Sequence, residues 1–153
     1  MRAPFQILVL PFRREGGLQF AVFQRADDGS WQGIAGGGED DESAVEAARR
    51  EAEEEAGIPR TAALHRLAAT STVPVTCFAE HVRSHWPRDL AVLPEHAFAV
   101  DSTGIDIVVS TEHTAFEWAD VDRANALLRW DSNKDALWEL HRRLSRGVMP
   151  PPV

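Results

Sequence analysis

The stretch from Gly36 to Ile58 constrains this chain more than any other. It opens on three consecutive glycines, Gly36, Gly37 and Gly38, which read as a loop. Ser43 and Glu46 then stand in the spacing of a capping box, in which each side chain satisfies a free backbone N–H at the other's position. Ala44, Ala48, Ala52 and Ala56 recur every fourth residue and put small side chains on one stripe, so the predicted helix can pack closely on a sheet. Gly57 supplies the left-handed residue that ends such a helix, and Pro59 blocks its continuation.

The same stretch holds nine acidic residues against two arginines, and so carries seven of the chain's eight net negative charges. Glu51, Glu54 and Glu55 fall at i, i+3 and i+4 and share one helix face. A run of like charge is usually a solvated face, and such faces usually alternate in sign. This one does not, and its mutual repulsion needs a neutralising partner. Carboxylate oxygens are hard ligands suited to Mg²⁺, or to Mn²⁺ in its place. Magnesium keeps sites for water and phosphate oxygens, so an acidic protein can hold an acidic phosphorylated substrate through bridging cations. Arg50, next to Glu51, can fix a glutamate rotamer through a two-pronged ion pair.

The remaining sequence bounds the setting. A chain of 153 residues with 44% hydrophobic and 26% charged residues suits one globular domain. Its net charge of −8 disfavours nucleic acid or an anionic membrane as a partner. The single Cys77 excludes an internal disulfide framework and suits a reducing cytoplasm. No targeting segment is evident, and no run approaches the roughly 20 apolar residues of a membrane helix. A cytoplasmic protein is expected, with one domain over residues 1–148 and a disordered Pro-rich tail over 149–153; a homodimer stays open.

Along the chain, Phe5–Phe12 and Leu18–Gln24 read as a hairpin about Gly16-Gly17, and Trp31–Ile34 as a brief strand. Leu64–Arg83 suggests two or three strands with a bend near Pro74. Glu95–Val100, Ile105–Val109 and Phe116–Ala119 read as further strands. Val121–Leu128 and Ser132–Arg146 read as helices, the second capped by Ser132 or Asn133. This order predicts an α/β fold, a mixed sheet between helices.

The segment reads Gly36-x5-Glu42-x7-Arg50-Glu51-Ala52-x-Glu54-Glu55-x-Gly57-Ile58, which resembles the signature of the Nudix hydrolases, G-x5-E-x7-R-E-U-x-E-E-x-G-U with U a bulky aliphatic residue. Ala52 departs from it by being small. The resemblance implies an α/β/α sandwich that hydrolyses a nucleoside diphosphate linked to another group, using a divalent metal. By the family's pattern Glu51, Glu54 and Glu55 bind metal, one of them serving as base. Arg50 orients them, Glu42 supports the helix or the outer metal shell, and Gly36 to Gly38 shape a tight loop at the substrate.

Outside the signature, Gln24-Arg25-Ala26-Asp27-Asp28 with Trp31-Gln32 is similar to the lead-in of the bacterial dihydroneopterin triphosphate pyrophosphohydrolases, which also hydrolyse dATP-type nucleotides. Thr111-Glu112-His113, Trp118 and Trp130-x-Ser132-Asn133-Lys134 are similar to further motifs of that group. The likeness makes Glu112 a candidate metal ligand, and Arg25, Asn133 and Lys134 candidate substrate contacts. It implies a Mg²⁺-dependent enzyme cleaving a nucleoside triphosphate or dihydroneopterin triphosphate to the monophosphate and pyrophosphate. The alternatives are a house-cleaning hydrolase of oxidised nucleotides, dinucleoside polyphosphates or nucleotide sugars, and a non-catalytic nucleotide-binding domain. The pair His81-x3-His85 lacks the companions of a zinc site, and Cys77 has no evident activating partner.

Overall fold

The apolar run that follows Pro4 becomes the central strand of a seven-stranded mixed sheet. The computed structural model describes residues 1–153. Strand β1 (Arg2–Arg14) turns at Gly16 and Gly17, both at positive φ, into antiparallel β2 (Leu18–Arg25). Then come β3 (Trp31–Gln32), β4 (Ile34–Glu39), β5 (Leu64–Pro74), β6 (Val92–Asp101) and β7 (His113–Ala119). The order is β3-β2-β1-β6-β5, with β4 also paired to β1 and β7 to β2. Only β1 and β6 run parallel; the other pairs are antiparallel.

Alternation along β1 divides the core in two. Leu8, Leu10 and Phe12 face Leu137, Leu140 and Leu144 of α4 (Asp131–Arg146), with Ala124 of α3 (Val121–Leu127) beside them. Ile7 and Val9 face Ala47, Ala48, Ala52 and Ala56 of α1 (Ala44–Ala56). The result is the expected α/β sandwich. The small residue at Ala52 fits this packing, because it is buried where the helix lies against the sheet. The capping box of Ser43 and Glu46 is present, and Gly57 ends the helix at φ 66°. No helix is long and apolar enough to cross a membrane.

Several expectations need correction. Gly36 to Gly38 are not a loop; they lie in β4, where Gly36 pairs with Ile7 and Gly37 with Gln6. Ile105–Val109 is not a strand. It crosses the end of α1, and Val108 N–H donates to Ala56 O at 3.0 Å and Ser110 N–H to Glu55 O at 3.2 Å, so helix carbonyls take the place of a strand partner. After Pro74 the chain makes a 3-10 turn (Val75–Cys77) and the short α2 (Glu80–Arg83), leaving one strand where two or three were expected. Neither Ser132 nor Asn133 caps α4, whose N-cap position is Trp130 without a side-chain bond. The tail is not free: Val153 N–H donates to Leu64 O at 2.8 Å, Pro150 O lies 2.6 Å from His65 Nδ1, and Arg49 donates to Val153 O.

Candidate functional site

Arg50 organises the C-terminal half of α1. Its side chain is nearly buried and makes a two-pronged pair with Glu42, Nε to Oε1 at 2.7 Å and Nη2 to Oε2 at 3.0 Å. Nη2 also donates to Gly37 O at 2.8 Å, which ties the helix to β4. Nη1 donates to Glu51 Oε1 at 2.9 Å and to Glu54 Oε2 at 3.2 Å. The Glu42 hydrogen bond leads in raising the Arg50 pKa, and the guanidinium in turn holds Glu42 below the usual carboxylate range. Glu42 Oε2 also accepts from Glu39 N–H at 2.9 Å. Glu42 therefore braces the arginine and does not line the cavity beyond it.

The three signature glutamates differ in setting. Glu54 is 57% exposed at its side chain. Glu51 is largely covered, and burial raises its pKa against the opposing pull of Arg50. Glu55 is only 4% exposed, and its Oε2 has no hydrogen-bond partner. Burial first, then Glu112 and Glu51, pushes its carboxyl up to about 9. Glu112 reaches this point from the segment before β7, held by Ala26 N–H donating to Glu112 O at 2.9 Å.

Glu51, Glu55 and Glu112 line one cavity of about 640 Å³. An orphaned buried carboxylate oxygen among like charges is a donor set that suits a hard divalent cation. No group of three or more His, Cys, Asp or Glu side chains already converges as a metal cage. The Arg50 guanidinium accounts for part of this, because it draws Glu51 and Glu54 toward itself.

The glycines matter for what they lack. A Cβ on Gly36 would strike the Glu51 carboxylate, one on Gly37 the Arg2 guanidinium, and one on Gly38 the Phe5 ring. The bare strand thus lets three side chains lie across it. Gly36 and Gly37 line the cavity, and Gly38 does not.

Arg25 lines the cavity, but Asp27 takes it in a two-pronged pair and Asp28 lies 3.9 Å from Nε. Asn133 also lines it, yet its Oδ1 accepts from Gly33 N–H at 2.8 Å, a buried brace between α4 and the sheet. Lys134 lies outside the lining. Sequence reasoning gave no site role to Arg2, Gln6 or Glu95, which line the same cavity. Arg2 donates to Gln6 Oε1 at 2.5 Å, lies 5.3 Å from the centre of the Phe78 ring, and keeps a buried Nε without a partner. The available signal was a charge at the edge of an apolar strand, in Arg2 and in the run Leu93-Pro94-Glu95-His96-Ala97-Phe98.

A family model described as NUDIX domain matches residues 4–140. The dihydroneopterin triphosphate diphosphatase of Escherichia coli K12 is 30% identical over 137 residues, spanning 89% of this chain and 91% of that protein. Among solved structures, a protein described as a NUDIX hydrolase from Listeria monocytogenes superposes with a TM-score of 0.86 at 39% identity, over 96% of this chain and 98% of that one. The structure of the E. coli dihydroneopterin triphosphate pyrophosphohydrolase gives a TM-score of 0.71 at 27% identity, over 92% and 97% of the two chains.

Proposed function

The chain belongs to the NUDIX family and is a pyrophosphohydrolase of the family's general kind, and from that premise we propose that it cleaves dihydroneopterin triphosphate or a nucleoside triphosphate to the monophosphate and pyrophosphate, with Mg²⁺ as cofactor. The observation that carries this reading is that Glu51, Glu55 and Glu112 line one and the same cavity. Its volume of about 640 Å³ suits a heterocycle with its phosphate tail. The named activity of the E. coli relative supports the substrate class.

In this proposal Glu51, Glu55 and Glu112 would hold the metal from the cavity, joined by Glu54 from the exposed flank of α1. A bound divalent cation would make a coordinated water more acidic and offset charge on the phosphoryl oxygens. Arg50 keeps Glu51 and Glu54 on one side of α1, and Glu42 keeps Arg50 in place. Glu55 Oε2 faces no protein donor, and once a cation had displaced the proton that burial holds on this carboxyl, Glu55 would be placed to take a proton from the attacking water. Water oxygen bonds to phosphorus while the bridging P–O bond breaks, and pyrophosphate leaves. Gly36 and Gly37 leave the room in which Glu51 and Arg2 lie across β4. Arg2 is the cavity cation without an acidic partner at ion-pair distance, and it faces the substrate's phosphate charge. Arg25 is a fixed cation at the rim, and Asn133 is a brace beside the substrate.

A substrate panel with Mg²⁺, scored for pyrophosphate against phosphate release, tests the reading. Pyrophosphate release from dihydroneopterin triphosphate or a deoxynucleoside triphosphate is expected. Good turnover confined to oxidised nucleotides, a dinucleoside polyphosphate or a nucleotide sugar would replace it with a house-cleaning role.

A further inference from the structure

Two carboxyl groups are at least nine-tenths buried, Glu55 and Glu95, and hydrolysis uses only the first. Glu95 lies on β6, where it pairs with Gln6 of β1 and Ser71 of β5, and Gln6 pairs in turn with Gly37 of β4. Gly37, Gln6 and Glu95 thus form one row across three strands, all lining the cavity. Two strand spacings, roughly 10 Å, separate Glu95 from Gly37, which adjoins the Gly36–Glu51 contact. The carboxyl therefore stands at the far end from the metal-binding glutamates, at about the reach of a heterocycle whose phosphates lie at Glu51.

Glu95 has no cationic partner there. Burial raises its pKa, and the Ser132 hydroxyl offsets this only in part. The start of α4 offers no side-chain cap, and Arg2 is turned onto Gln6. A desolvated carboxyl in a cavity wall is costly unless a ligand supplies donors.

We propose that Glu95 is the specificity residue of this cavity, accepting two parallel hydrogen bonds from the ring N–H and exocyclic amine of a 2-amino-4-oxo pyrimidine ring, as carried by a pterin or by guanine. Two carboxylate oxygens match two adjacent donors. Adenine and cytosine present an acceptor beside a donor, and so set a lone pair against the carboxylate. Phe78 and Trp130, which line the same cavity, offer apolar faces for the ring. The inference deepens the proposed function and rests on it only for where the phosphates lie.

Binding of unphosphorylated neopterin, guanosine and adenosine, followed by tryptophan fluorescence without metal or turnover, tests it. Neopterin or guanosine is expected to bind roughly ten- to a hundredfold more tightly than adenosine, and their relative affinity separates pterin from purine. Glu95→Gln, checked for an unchanged melting temperature, should shrink that preference to a few fold. The proposal is overturned if the wild-type protein shows no preference over adenosine or binds none of the three, results that need no variant. It is equally overturned if the preference survives in a folded Glu95→Gln protein. Failure of every triphosphate to release pyrophosphate would instead sink the proposed function and leave the binding preference standing.

Discussion

The Arg2 guanidinium lies where a Cβ on Gly37 would have to be. The glycine is therefore a space reserved for an arginine, and the neighbouring glycines do the same for Glu51 and Phe5. Three alanine substitutions should separate these roles. Gly37→Ala meets only the end of a flexible side chain, so the melting temperature should hardly change, while KM should rise by as much as Arg2→Ala should raise it. The double variant should be no worse than either single one. Gly36→Ala should lower kcat through Glu51. Gly38→Ala meets an aromatic ring and should cost about 1–3 kcal/mol of stability. Equal effects at all three positions would refute the assignment.

These relationships show where the sequence was legible. Helix α1 was readable because its signals are local: a cap at Ser43, a stop at Gly57, and carboxylates at helical spacing. The glycine strand was not, because glycine carries no strand preference, and its pairing with Ile7 and Gln6 is set far along the chain. Ile105–Val109 has a strand's composition, but Val108 N–H finds the end of α1 instead of a strand. Asn133 looked like a helix cap, whereas its partner Gly33 lies 100 residues away. Arg2 and Glu95 draw no site role from sequence for the same reason, since the parallel register of β1 and β6 sets Glu95 beside Gln6, and Arg2 reaches that cavity from the start of β1.

Glu54→Gln and Glu55→Gln should each remove metal-dependent turnover by roughly a hundredfold or more, with circular dichroism unchanged. Each loses a charge that the metal needs, and neither loses core packing. Near-wild-type pyrophosphate release in both would remove Glu54 and Glu55 from the chemistry.

Without metal, stability should fall as pH rises. Glu55 has an ordinary value of 4.5 and a folded value of about 9, so the fold favours its protonated form. That contribution is complete below the ordinary value and is lost as pH rises through the folded one. Burial raises Glu51 in the same direction. The melting temperature of metal-free protein should therefore decline between about pH 5 and about pH 9, and Glu55→Gln should flatten the decline. Mg²⁺ should stabilise the protein more at the alkaline end, where it need not displace a proton. A flat wild-type profile would show that the Glu55 carboxyl is ionised throughout.

Arg50→Lys should be far from conservative. The arginine serves both oxygens of Glu42, the Gly37 carbonyl, Glu51 and Glu54 at once, through three nitrogens fixed in one plane. An ammonium keeps the charge but cannot span that set. Some of these acceptors would then lie covered and unpaired, and breaking a buried pair costs about 3–5 kcal/mol. Lysine should stay at or below the lower end of that range, because one ion pair survives. Turnover should fall by roughly a hundredfold, since Glu51 and Glu54 lose their common anchor. Adding Glu42→Gln to Arg50→Lys should cost less than the sum of the two single changes, because both act on one contact. Additive costs in melting temperature and in kcat would mean that Glu42 and Arg50 act independently, and that the brace seen in the structure does not position the glutamates.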